Sequence, residues 1–370
     1  MTPLEEEIRR HIQMHGPMPL ADYMTLCLTH PEHGYYTTGN PVGGRASAQR
    51  QAGDFITAPE VSQMFGELLG VWCMEMWQAL GSPPSFNLVE IGPGRGTLMQ
   101  DLLRISDALS GFKSACHVHL IEVSPTLSEQ QSLTLSSAAN ITWLRDIDDL
   151  TPRPTLILAN ELLDALPFRQ WCKNGEEWFE RAVGLIDDQL AFVLRPNQLD
   201  KAELPEDHSE RPQATLFETA PAREAFVSRI ADFLRQQSGA ALLIDYGHLK
   251  SGFGDTFQAV RDHAFADPLT GLGQTDLTSH VDFAPLCAIA RANDCEVPEP
   301  VTQGEFLLAL GLLERAGALG TGHDTAVHDR LHQAVERLAG PSQMGDLFKV
   351  MAFGAASDPA GLTDRWPGFS

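Results

Sequence analysis

Apolar and polar positions change period several times along this chain. In residues 4–29 and 60–80 they recur at helical spacing; Phe65, Leu68, Leu69, Trp72 and Met76 mark the second stretch. Thr57-Ala58-Pro59-Glu60 opens it with a cap-like residue, a proline in the first turn and an early acid. Between the two, Tyr35 to Phe55 is rich in Gly, Ser, Gln and Arg and reads as a long mobile loop. From Phe86 to about Tyr246, short apolar runs alternate with helical patterns. Runs 86–91, 117–122, 140–144, 155–159 and 241–246 predict strands, and the alternation predicts an α/β fold with a mainly parallel sheet and right-handed crossovers. Segments 177–186 and 189–195 read as an antiparallel hairpin around Asp187-Asp188. Residues 196–213 read as a polar excursion, and 250–280 show little periodicity. Patterns over 283–292, 303–316 and 326–338 predict helices, and 347–353 a late strand returning to the sheet. The expected organisation is an N-terminal helical segment (1–84), an α/β core (85–250) completed by 343–356, and a largely helical insertion (251–342).

Composition narrows the function. A chain of 370 residues can bury one large core or two modest ones. No apolar run is long enough to insert in a bilayer. The acidic start, Met1-Thr2-Pro3-Leu4-Glu5-Glu6-Glu7, argues against a secretory signal or an Arg-rich transit peptide, so a cytoplasmic location is expected. Six scattered cysteines without a C-x-x-C pair fit reduced thiols. A formal charge of −23 disfavours nucleic acid and suits a cationic partner, although solubility alone is an alternative. The oligomeric state is not legible.

The most informative motif is Glu90-Ile91-Gly92-Pro93-Gly94-Arg95-Gly96. A buried strand runs into an acid and three alternate glycines, and a helical pattern follows at once. Such a turn brings backbone close to a nucleotide or nucleoside. Its spacing is not that of the dinucleotide fingerprint. Glu90 would welcome an ammonium group and repel phosphate, which points to S-adenosylmethionine (SAM) and leaves NAD as the alternative. Glu122, ending the second strand, is placed to face ribose hydroxyls. Asp146 could accept from an adenine amino group, with Ile147 against the ring. The fourth strand ends in Asn160-Glu161-Leu162-Leu163-Asp164-Ala165-Leu166-Pro167, beside whatever the glycine loop holds. If a helical turn begins there, Glu161 and Asp164 share a face and could clamp a guanidinium or orient another amine. Helix capping by Asn160 is the alternative. Asp245 and Tyr246 should reach the same rim, and His280 and Asp282 could form an orienting pair with a ligand or with each other, a structural network or a helix cap being the alternative. His117-x-His119 and His328-x-x-x-His332 have metal-pair spacing without suitable partners, so no metal is expected.

Four motifs in this order resemble the MidA-type methyltransferases over residues 4 to 351: Gly53-Asp54-Phe55-Ile56-Thr57-Ala58-Pro59-Glu60, the glycine loop, Asn160 to Pro167, and Asp276-Leu277-Thr278-Ser279-His280-Val281-Asp282. Leu162-Leu163 departs from the aromatic residues common there. The resemblance implies a class I, Rossmann-like SAM-dependent methyltransferase. It would hold the methionine end of SAM at Gly92, Gly94 and Gly96, the ribose at Glu122 and the adenine at Asp146. A mitochondrial complex I assembly factor of this family is assigned as a protein arginine methyltransferase. That implies a protein substrate with a basic segment, a respiratory-complex subunit among the candidates, and a catalytic group of Asn160, Glu161 and Asp164. A SAM-responsive assembly module and a small-molecule O- or N-methyltransferase are the competing readings.

Overall fold

Seven strands form the main path of a nine-stranded central sheet: β1 (Phe86–Ile91), β2 (Cys116–Ile121), β3 (Ile141–Leu144), β4 (Thr155–Asn160), β5 (Gly239–His248), β6 (Cys295–Glu296) and β7 (Phe348–Ala355), with Val281–Asp282 and Val301–Thr302 pairing beside β5 and β7. Their order is β3-β2-β1-β4-β5-β7-β6. Strands β1 to β5 run parallel, while β7 lies antiparallel beside β5 and β6 antiparallel on β7. The computed structural model describes residues 2–38, 57–136, 138, 140–261, 264–355 and 366–369. The long loop expected from Tyr35 to Phe55 falls largely outside them; Tyr35–Thr38 form a single helical turn.

Both sheet faces are covered, which is why the parallel strands read as nearly continuous apolar runs. On one face, helices Gln63–Ala79, Thr97–Arg104 and Gln303–Ala309 pack on Leu88, Leu120, Leu158, Leu242 and Val350. On the other, Pro221–Gln237 and Phe283–Ala292 cover Val89, Ile157, Leu243 and Met351. The chain steps outward from β1 to β3, then crosses back to β4 on the far side of β1. The order reverses between β1 and β4, and crevices for ligands open at such a point, beyond the carboxyl ends of the strands.

Between β4 and β5 the chain builds a second, antiparallel sheet. The predicted hairpin is its centre, Glu177–Ile186 against Gln189–Gln198. Arg169–Asn174 and, beyond it, Leu216–Thr219 extend it along the free edge of Glu177–Ile186, and Met18–Pro19 from the N-terminus pairs further along that same edge. The N-terminal helices bury Leu4, Ile8, Tyr23 and Met24 in a core shared with Phe168 and Val183 of this insert.

Three predicted helices break where backbone chemistry demands it. The first stretch is two helices, Pro3–His15 and Leu20–Thr29, because Gly16 turns at φ +84° and Pro17 has no N–H to continue the ladder. The second divides at Ser62, whose hydroxyl accepts from Met64 N–H and caps Gln63–Ala79. Residues 303–316 divide at Gly311 into Gln303–Ala309 and Leu312–Gly320. Residues 250–280, read as irregular, carry three short antiparallel strands at Gln258–Arg261, Ala264–Ala266 and Asp276–Thr278.

Candidate active site

The glycine loop leaves β1 through backbone that disfavours side chains. Gly92, Gly94 and Gly96 have φ of +68°, +52° and +80°. Close packing adds a second constraint: a Cβ on Gly92 would lie 2.9 Å from Leu162 Cδ1, and one on Gly96 3.3 Å from Leu135 Cδ1. Gly92 therefore seats the glycine loop directly against the Asn160–Pro167 segment. The Ala58–Val61 turn reaches both walls. Thr97 Oγ1 donates to Glu60 Oε1 at 2.6 Å, and Ala58 N–H donates to Glu161 Oε1 at 3.0 Å.

Glu90 is buried, and burial pushes its carboxyl up to about 8, offset by a backbone N–H from Met99. Among the described residues its Oε2 has no hydrogen-bond partner, nor does the buried Asn160 Oδ1. Two orphaned acceptors beside the loop suit the ammonium end of an amino-acid-bearing nucleoside better than a pyrophosphate, which has no proton to donate to them.

Glu122 stands just past β2. Its Oε1 accepts from Ser124 N–H at 2.8 Å and its Oε2 from Gln131 Nε2 at 3.0 Å, while burial raises its pKa. Two adenine-side expectations meet a different environment. Both oxygens of Asp146 are engaged by Arg229, with Asp148 N–H also on Oδ1, so an adenine amino group competes with that ion pair. Ile147 is buried in the core rather than open at the rim. Val123, 73% exposed and next to Glu122, adds an apolar surface that no motif in the sequence marks.

The third cluster lies at the ends of β4 and β5, and its local structure corrects the expected helical face. Glu161 adopts φ +50°, rare for a residue with a side chain, and a 3-10 turn begins only at Leu163. Glu161 and Asp164 are thus brought together by a kinked strand end, not by i,i+3 spacing on a helix. Asn160 Nδ2 donates to Glu161 Oε1 at 3.0 Å. It therefore orients the acid rather than capping a helix. Burial raises Glu161 to about 7. Tyr246 O–H donates to Asp164 Oδ2 at 2.5 Å, and Asp245 accepts from Leu163 and Asp164 N–H at 2.8 and 3.1 Å. Burial raises both Asp164 and Asp245, and Arg223 opposes it as counter-charge. Arg223, unremarked in the sequence, is buried and donates to the carbonyls of His280 and Asp164 and to Ser279 Oγ.

His280 and Asp282 do not pair. The His280 ring packs edge-on against Tyr246, whereas Asp282 caps Phe283–Ala292 and lies 3.7 Å from His248. His117 and His119 bond to Ser85 and Asn87 respectively. Among the described residues no group of three or more His, Cys, Asp or Glu could hold a metal. A cavity of about 610 Å³ opens beside this cluster, sharing Arg223 and His280 with it and lined by Phe168, Phe217, Glu203 and Glu224.

A parallel sheet with one antiparallel strand, a three-glycine loop at its crossover and a flanking acid define a class I SAM-dependent methyltransferase. The chain belongs to the MidA-type family: residues 68–301 match a family described as S-adenosyl-L-methionine-dependent methyltransferase. It is 36% identical to a Xenopus tropicalis protein named protein arginine methyltransferase NDUFAF7, mitochondrial, over 92% of this chain and 83% of that protein. The human protein of the same name is 35% identical over 95% and 83%. A solved Burkholderia thailandensis structure bound to S-adenosyl-homocysteine superposes with a TM-score of 0.84 at 28% identity, covering 98% of this chain and 95% of that one. SAM is the cofactor of this chain, and it supplies an electrophilic sulfonium methyl. No helix among the described residues is long and apolar enough to cross a membrane.

Glu90 gives the cofactor site a pH signature. Its folded pKa, about 8 against an ordinary 4.5, means its contribution to stability is full below 4.5 and is lost as pH rises through about 8. At pH 7 the free protein holds Glu90 mostly neutral, and a cationic amine at Oε2 favours the carboxylate. Binding of S-adenosyl-homocysteine at pH 7 should therefore release about one proton. Calorimetry in buffers of different ionisation enthalpy measures this, and Glu90→Gln should abolish it. Equal release from that variant would contradict the assignment.

Proposed function

We propose that this methyltransferase acts on an arginine side chain in a basic segment of a partner protein. The observation that carries the reading is the convergence of Glu161, Asp164 and Asp245 beside the glycine loop, a cluster with more carboxylates than its counter-charge Arg223 neutralises. The names borne by the relatives support it.

A guanidinium with a pKa above about 12 lacks a free lone pair, so alignment and proton removal are what the protein must supply. In this reading Asp164, fixed by Tyr246, holds one guanidinium nitrogen and disperses its charge. As the N–C bond forms and the S–C bond breaks, the proton on the attacking nitrogen passes to Glu161. Asn160 and Ala58 N–H keep the receiving carboxylate in place. The cavity favours a basic segment: burial raises Glu224, and the nearby carboxylates of Glu203 and Asp282 raise it further. The likeness to mitochondrial relatives makes a respiratory-complex subunit our proposed acceptor. Six free, largely buried thiols fit action in the bacterial cytoplasm.

The test is label transfer. Trideuteromethyl SAM and the protein are added to an extract of cells lacking it, and the proteome is read by mass spectrometry. Deuterated methylarginine in basic segments is expected; label confined to metabolites would overturn the proposal.

A further inference from the structure

Three segments around the cofactor crevice meet at one side chain that no motif singled out. Gln131, on the helix Pro125–Thr134, is fully buried. Its Nε2 donates to the Gly94 carbonyl at 2.8 Å and to Glu122 Oε2 at 3.0 Å. Its Oε1 accepts from the Trp143 indole N–H at 2.9 Å. Both amide hydrogens and the carbonyl oxygen are thus used, and the partners belong to the glycine loop, the end of β2 and strand β3.

The arrangement does more than fill space. Glu122 is gripped on both oxygens, Oε1 by Ser124 N–H and Oε2 by Gln131, so the carboxylate plane is set. The same amide holds the Gly94 carbonyl, so loop and acid cannot move independently. The helix packs on the loop at ordinary contact distance, the Cβ position of Gly96 lying 3.6 Å from Gln131 Cα and Cγ. A carboxylate that faces only water needs no buried amide behind it; one that must present oxygens to two vicinal hydroxyls does.

We propose that Gln131 is a positioning residue for the cofactor, setting Glu122 for the ribose hydroxyls and locking it in register with the glycine loop. The inference rests on the reading of Glu122 as the ribose acid. Gln131→Met keeps the volume and loses all three hydrogen bonds. It should weaken S-adenosyl-homocysteine about 10- to 30-fold in calorimetry, since one lost bond has a charged partner. Glu122→Ala should weaken it to a similar extent.

Two readouts separate positioning from a merely structural role. With adenosine as the ligand, which has no methionine end for the glycine loop to hold, the double variant should bind no more weakly than the weaker single variant, because both then act through the ribose contact. Adenosine should lose affinity in Gln131→Met while 2′,3′-dideoxyadenosine, which lacks the hydroxyls, should not. Additive losses, or equal losses for both nucleosides, would overturn the proposal. If Glu122→Ala binds S-adenosyl-homocysteine normally, the ribose reading fails and takes the proposal with it. If Glu122→Ala weakens binding and Gln131→Met does not, the ribose reading survives and the positioning role fails. Should Gln131→Met unfold, Trp143→Phe removes one restraint on the amide and should show a smaller loss, about 2- to 5-fold, with the same discrimination between nucleosides.

Discussion

Gly92→Val is expected to abolish cofactor binding, weakening S-adenosyl-homocysteine by more than about 100-fold, while the protein remains folded. Two costs fall on one residue. A β-branched side chain at φ +68° is strained by about 1–2 kcal/mol. Its Cβ would also stand 2.9 Å from Leu162 Cδ1, where overpacking costs about 1–3 kcal/mol. The loop can relieve both by shifting away from Leu162, and that shift removes the backbone approach the cofactor needs. Gly92→Ala should be intermediate. Calorimetry gives the affinity and thermal unfolding the fold; Gly92→Val binding within about threefold of wild type would show that the loop does not seat the cofactor.

Glu161→Gln is expected to separate chemistry from binding. The amide oxygen still accepts from Ala58 N–H, so affinity for S-adenosyl-homocysteine should change by less than about twofold. The proton acceptor is lost, and methyl transfer should fall about 10²- to 10³-fold, within the range for a general base. Wild-type kcat/KM should rise with pH through about 7, because Glu161 must be ionised to take the proton. The variant should lose this rise. A variant with wild-type rate would remove Glu161 from the chemistry.

Strands β1 to β5 and β7 were legible because each is a short apolar run, whereas β6, only two residues long, leaves no pattern to read. The glycine loop was legible because positive φ at three alternate positions leaves an imprint in residue type. The third cluster was only half legible. Its residues could be named from their place after β4, but the kink at Glu161 could not, since nothing in Asn160-Glu161-Leu162 marks a left-handed acid. Arg223 and Gln131 left no trace because the partners of Arg223 are 57 and 59 residues distant and those of Gln131 are spread over the glycine loop, the end of β2 and strand β3. Their role is created by packing alone. Asp146 shows the converse: its strand-end position suggested an adenine contact, yet Arg229, 83 residues on, occupies the carboxylate.

The central claim is that donor and acceptor meet between the glycine loop and the end of β4. A crystal structure with S-adenosyl-homocysteine bound tests it most directly. In that complex the homocysteine amine should face Glu90 directly or through one water, the ribose hydroxyls should lie within about 3 Å of Glu122, and the sulfur should be directed at Asn160–Asp164. A ligand whose sulfur turns away from Glu161 and Asp164, or whose ribose leaves Glu122 unengaged, would contradict it.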